Sequence, residues 1–233
     1  MKRFFWGLVG VLGELSITAG IFLGLFLGWQ LWWTDVVAEQ EQDQIISTLH
    51  EDWGEPPKEE GKKRYDDPPV PEKPQQYQVW GTIYIPAFDR PVVPLAEDVS
   101  LKEVLNVKGA GHYPETALPG EIGNFSVAGH RTTYGKPFNE IAKLKPGDPI
   151  VVETKDAYYV YTVQKDEIIY PNEVRVIAPV INEIGAEPTE RWMTLTACHP
   201  LYSARQRYVV HAKFDYWMKR SDGKPDVLKN VHN

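Results

Sequence analysis

The apolar positions of this chain fall into three regimes. From Leu15 to Trp33, nineteen residues pass without a charge, enough at about 1.5 Å per residue to cross a hydrocarbon core of about 30 Å. The run predicts one N-terminal transmembrane helix, with Glu14 at its edge and Trp29, Trp32 and Trp33 placed for an interfacial aromatic belt. From Thr34 the pattern turns polar. The stretch "TDVVAEQEQDQIISTLH" can carry the helix on for a few turns. After it, "GEPPKEEGKKRYDDPPVPEKP" holds six prolines and many charges, which exclude a packed core. Residues 34–78 therefore read as a solvated, semi-rigid stalk.

The third regime, from Val79 on, is built of short β-type runs. "GTIYIP", "RPVVPL", "GNFSVAGH", "PIVVET", "AYYVYTVQ", "RWMTLTAC" and "RYVVHAKF" are rich in β-branched and aromatic residues, with turn signals such as "LPGEIG" and "KPGD" between them. Two short helices are expected, "SLKEVLN" with Ser100 as its cap and "PFNEIAK" with Pro137 in its first turn. Strands at this spacing predict a small barrel or sandwich in a mainly β domain over 79–216, with a tail at 217–233.

Alternate residues of a strand face opposite sides. Met193, Leu195 and Ala197 form one apolar row; Tyr208, Val210, Ala212 and Phe214 form another; Phe125 and Val127 a third. With each row turned inward, Thr196, Cys198, His130 and Arg207 share the outer face. Eight residues separate Cys198 from Arg207, so an antiparallel pair brings the end of one strand to the start of the next.

Charge supports this division. Residues 34–78 hold twelve Asp or Glu against five Lys or Arg, so the net charge of −7 is concentrated in the connector. The outer domain has no basic stripe, and nucleic-acid binding has no support. Lys2 and Arg3 precede the apolar run and acidic residues follow it, which predicts a cytoplasmic N-terminus and an external domain. A cleaved signal peptide is disfavoured, because the run is long and no small-x-small site follows it.

Cys198 is the chain's single cysteine, and outside a membrane such a thiol has no internal disulfide partner. With an imidazole and a guanidinium nearby, it has the parts for acyl transfer through a thioester. Other readings stay open on residues alone. A cysteine at a strand end is often a half-buried hydrophobe. His112 competes with His130, Arg205 competes with Arg207, and His50 and His232 lie in the stalk and the tail. A metal set of Cys198, His199, His130 and His211 lacks the usual ligand spacing, and no cofactor is expected.

Three local sequences, in order, then resemble the sortase family. "TLTACHP" resembles the Thr-Leu-x-Thr-Cys signature of the nucleophile, "NFSVAGHR" the histidine segment, and "SARQRYVVHAKF" the arginine strand. The resemblance implies an eight-stranded β-barrel with Cys198 as nucleophile, His130 as general acid and base, and Arg207 as the cation that orients substrate. It further implies cleavage of a secreted protein's C-terminal sorting signal between Thr and Gly. The acyl group then passes to an amine of a peptidoglycan precursor (lipid II) or, in pilin-type members, to a pilin lysine. Cys-His-Pro followed by Arg-Gln-Arg, behind an N-terminal anchor in the membrane lipid, looks most like class E, the housekeeping group of high-GC Gram-positive bacteria, associated with a Leu-Ala-x-Thr-Gly signal.

Two departures accompany the match. The family's Thr before the cysteine is Ala197 here, which removes a hydroxyl from an expected substrate-binding position and leaves Thr196 to compensate. "YDDPPVP" lacks the aromatic of a pilin-type lid, and no membrane segment follows Phe214. An extracytoplasmic peptidase using water as acceptor, or a catalytically silent wall-binding module, are the competing functions.

Overall fold

The protein is described here by a computed structural model covering residues 2–57, 61–229 and 231; His232 lies outside the described residues. One helix, α1, runs unbroken from Lys2 to Trp53. Its first half is apolar on all sides, and its described side chains are exposed. The most apolar 18-residue window has a mean hydropathy of 1.9 and no buried residue, the profile of a helix made for lipid. Among the described residues this is the one helix long and apolar enough to cross a membrane.

Beyond the tryptophans α1 changes character. Ala38, Gln42 and Ile46 are buried, at a spacing of four residues, so one stripe of the helix faces a neighbour. That neighbour is the β domain. The first half of the expected stalk is thus a docked helix, because its Glu, Gln and Ala residues favour helix and nothing breaks it before Gly54. Gly54, at φ 72°, ends it in the left-handed position common after helices, and Pro56 follows.

The proline-rich half is extended, as its composition requires, but it too lies on the domain. The Tyr159 hydroxyl donates to the Pro69 carbonyl (2.8 Å), Arg64 pairs with Trp217 backbone to backbone, and Arg191 binds Asp67 (2.8 Å).

The domain is a closed barrel of eight strands: β1 Val79–Tyr84, β2 Val92–Glu97, β3 Ala110–His112, β4 Gly123–Ala128, β5 Pro149–Glu153, β6 Ala157–Ile169, β7 Arg191–His199 and β8 Gln206–Lys219. Their order around the barrel is β1-β2-β3-β4-β7-β8-β6-β5. The pairs β2–β3 and β4–β7 are parallel and the others antiparallel. Closure leaves no edge strand exposed, and this is the architecture that the family resemblance implies.

The interior is filled by the rows that parity assigned inward, among them Phe125, Val127, Met193, Leu195, Val210 and Ala212. β8 extends past residue 216, because the thirteen-residue β6 gives it a partner as far as Lys219 and buries Trp217 and Met218. Leu228 is buried as well, so the described part of the tail packs on the barrel. Of the two expected helices, Leu101–Leu105 forms one turn, capped by Ser100. The other contracts to a 3-10 turn at Ile141–Lys143.

Candidate active site

β4 and β7 run side by side in the same direction, so their C-terminal ends reach the same rim of the barrel. The turn from β7 to β8 lies at that rim too. In this antiparallel pair Cys198 stands directly opposite Arg207, and side chains so placed share a face about 5 Å apart at Cβ. Cys198 is half-buried. Arg207 donates from Nη1 to the carbonyls of Ala204 and Gln206, both at 3.0 Å, while Arg205 is exposed on the turn.

His130 arrives from the other side. Ala128 pairs with Thr196, and the Gly129 N–H extends the ladder to the Thr196 carbonyl at 3.1 Å. The chain therefore leaves β4 beside Ala197 and Cys198. The Phe138 N–H donates to the His130 carbonyl (2.9 Å), which closes the loop that follows. Nε2 of His130 stands 2.8 Å from Oδ1 of Asn106. An amide oxygen only accepts, so Nε2 carries the hydrogen and Nδ1 keeps its lone pair in the neutral ring. The Tyr134 ring lies 5.2 Å from the imidazole on a tilt of 32°. Burial of the ring pushes the His130 pKa below its ordinary 6.5.

Arg131, next to the histidine, ties the two strands together. It is 7% exposed, donates from Nη1 to Nδ1 of His199 (2.9 Å) and the Cys198 carbonyl (3.3 Å), and lies over the Tyr208 ring at 5.4 Å. Burial holds its pKa below the ordinary value, outweighing the opposing pull of Tyr208 and Cys198. Nothing in the linear pattern singled out Arg131, Tyr134 or Asn106. The only available signals were adjacency to His130 for the first two and a helix end for the third.

The other expected residues fall elsewhere. Ala197 is buried in the barrel interior opposite Tyr208. Thr196 faces outward but is covered, its hydroxyl 3.1 Å from the Tyr113 hydroxyl and donating to the Val127 carbonyl at 3.3 Å. Both side chains are buried, and a hydroxyl at position 197 would meet the barrel interior. His112 is sealed in the wall, with Nδ1 on Glu97 (2.8 Å) and Nε2 on Thr116 (3.0 Å). His211 is equally sealed between Thr194 (2.9 Å) and Glu167 (3.0 Å), and burial pushes its pKa down against the pull of Glu167. Among the described residues no group of three His, Cys, Asp or Glu side chains is placed to hold a metal ion.

A second charged cluster sits where α1 meets the barrel. Glu153 is buried; it accepts from Tyr84 (2.6 Å), Thr82 (3.2 Å), Tyr158 (2.9 Å) and Arg220 (2.7 Å), with His50 of α1 at 3.1 Å. Desolvation alone would raise its pKa; the bonds from His50, Tyr84 and Arg220 outweigh that and hold it at about 2.

The turn that joins Cys198 to Arg207 exposes two apolar side chains, Leu201 and Tyr202, by 47 and 88%, beside the exposed Arg205. One rim of the barrel thus carries a thiol, an imidazole held at Nε2 and a guanidinium bonded to backbone carbonyls.

Known proteins share this fold and much of this sequence. The Sortase domain family matches residues 83–215. Sortase SrtE1 of Streptomyces coelicolor is 41% identical over 223 residues, 93% of this chain and 60% of that protein, so the chain spans about three-fifths of that relative's length. The SrtA sortase of Actinomyces oris superposes with a TM-score of 0.69 at 41% identity, covering 72% of this chain and 97% of that one. Sortase E1 of Streptomyces coelicolor, solved with a tripeptide in its active site, gives a TM-score of 0.61 at 44% identity over 66% and 99% of the two chains. With the family match spanning the barrel and relatives named sortase E along most of its length, the chain belongs to the sortase family.

Proposed function

We propose that this chain is a membrane-anchored transpeptidase that cleaves a C-terminal sorting signal of Leu-Ala-x-Thr-Gly or Leu-Pro-x-Thr-Gly type between Thr and Gly and joins the protein to a cell-wall amine. The observation that carries the reading is the pairing of Cys198 with Arg207 on one face, at the rim where His130 leaves β4. The Cys198 thiolate attacks the threonine carbonyl carbon. Arg207 turns donors from the Ala204 and Gln206 carbonyls to the substrate carbonyls, and the charge that grows on oxygen is met by guanidinium.

As the Thr–Gly bond breaks, protonated His130 gives its Nδ1 proton to the departing glycine amine, leaving a thioester on Cys198. An incoming amine, usually of the peptidoglycan precursor lipid II, attacks the thioester, its proton goes to His130, and the Cys198 thiolate leaves. The exposed Leu201 and Tyr202 of the turn suit the leucine of the signal. Lys2 and Arg3 ahead of the apolar run support a cytoplasmic N-terminus with one crossing and an external barrel.

The test is product analysis with the full chain in detergent micelles, a Leu-Ala-x-Thr-Gly peptide, and an added amine in varied amount. Transpeptidation gives the amide in proportion to amine; the free acid as the sole product at every amine concentration makes it a peptidase. No product together with slow labelling of Cys198 by iodoacetamide near neutral pH makes it a silent binding module.

A further inference from the structure

The loop that leaves β4 is strained, and the membrane anchor holds it. Tyr134, Gly135 and Lys136 have φ of 55°, 74° and 37°. Glycine takes the left-handed region freely, but a tyrosine and a lysine keep it only where neighbours impose it. The neighbours are residues of α1. Gln42, 2% exposed, donates from Nε2 to the Tyr134 carbonyl at 3.1 Å. Asp35 accepts from Lys136 Nζ at 3.0 Å. A Cβ on Gly135 would meet the Gln42 side chain at 2.9 Å, so helix and loop are in close contact there.

Arg90, between β1 and β2, secures the same stretch of α1 by donating to the Glu39 carbonyl (2.9 Å) and to Asp43 (2.6 Å). Asp35 and Gln42 follow Trp33 by two and nine residues, about 3 and 14 Å along the helix axis. The far side of the loop carries Tyr134, whose ring lies against His130.

From these contacts we infer that the part of α1 next to the membrane is a scaffold of the active site, with Gln42 as a positioning residue that sets the His130 ring through Tyr134. The inference rests on the transpeptidase reading above. Gln42 touches no reacting atom. Its amide holds a carbonyl that the strained loop turns toward α1; without that bond the loop relaxes and carries Tyr134 away from the imidazole. Proton transfer depends on an imidazole fixed within hydrogen-bond reach of its partners. Peptide binding at Arg207 and the turn of Leu201 and Tyr202 does not, so the effect falls on kcat and spares KM. The rival view makes α1 a tether whose docking adds stability alone.

The test uses the full chain in detergent micelles with four variants: Gln42→Met, which keeps length and loses the donor; Asp35→Lys; Lys136→Asp; and the last two combined, which restores the ion pair reversed. For Gln42→Met the expected results are kcat lowered about tenfold with KM changed less than about twofold, and faster amide hydrogen exchange across residues 131–138. Each single charge variant lowers kcat, and the combined one recovers most of it. Unchanged exchange in that loop for Gln42→Met, or unchanged kcat, overturns the inference. So does a loss of kcat that merely follows a falling melting temperature, with no recovery in the double variant. A wild-type chain inactive on every peptide overturns the transpeptidase reading, while the exchange data still decide the coupling of helix to loop.

Discussion

Glu153 and Cys198 stand on one barrel, each among arginine and histidine, yet their surroundings treat charge in opposite ways. Around Glu153 five side chains converge on one carboxylate that water does not reach. Its acidic pKa reports satisfied bonds that join α1, the barrel and the C-terminal segment. Around Cys198 the groups are half-exposed. Arg207 spends its donors on nearby backbone carbonyls, and His130 is held at one nitrogen only. A closed cluster stabilises; an open one has donors and a lone pair left for a substrate. Perturbed charge alone does not mark a catalytic site, and in this molecule the strongly perturbed Glu153 is structural.

Substitutions can break that contrast. The largest effect is expected at Glu153. Glu153→Gln should cost about 3–5 kcal/mol, because it strands the buried Arg220 guanidinium, and leave kcat of the folded fraction nearly unchanged. Chemical denaturation with activity measured in parallel checks both. The sign of the pH effect follows from the same shift. A carboxyl at about 2 in the fold and near 4.5 when unfolded contributes about 3 kcal/mol above pH 4.5, lost as pH falls toward 2. Acid titration of wild type against Glu153→Gln should show that loss only in the wild type.

Next comes Arg207→Lys, expected to lower kcat/KM about a hundredfold, since a point charge does not replace a fork of donors; the melting temperature should hardly move. Arg205→Lys should be nearly silent, and an equal loss there would transfer the role to Arg205. Asn106→Ala should reduce kcat about tenfold by freeing the His130 tautomer. In the wild type, burial pulls the imidazole's pKa below its ordinary value, so the protonated ring that serves as general acid is lost as pH rises and sets the alkaline limb of the rate profile. Asn106→Asp, with a carboxylate on Nε2, should move that limb upward. Smallest is Ala197→Thr. The position faces the core, so restoring the family's residue should change stability by about 1–3 kcal/mol through overpacking and leave peptide specificity as it is. Altered specificity would show that position 197 does reach the groove.

Much of this was legible in the chain. Seven strands announced themselves by β-branched and aromatic runs, and strict alternation put Cys198 and Arg207 on one face before any fold was known. β3 went unread because three residues, Ala110–His112, with a glycine at the centre carry no pattern. The docking of α1 was hidden for a related reason. Its buried stripe, Ala38, Gln42 and Ile46, holds a single strongly apolar residue, so the segment reads as solvated. Asn106, Arg131 and Tyr134 act through contacts that exist only after the barrel closes, and sequence spacing does not encode them. Position 197 shows the reverse: the departure was visible, but its consequence depended on which way the side chain points.

The central claim is that Cys198 carries the acyl group. Intact-mass measurement of the full chain, mixed with a Leu-Ala-x-Thr-Gly peptide and no amine, tests it most directly. The account expects a mass increase equal to the peptide up to its threonine, located on Cys198, discharged on adding an amine and absent in Cys198→Ala. Turnover retained by Cys198→Ala, or an adduct on any other residue, contradicts it.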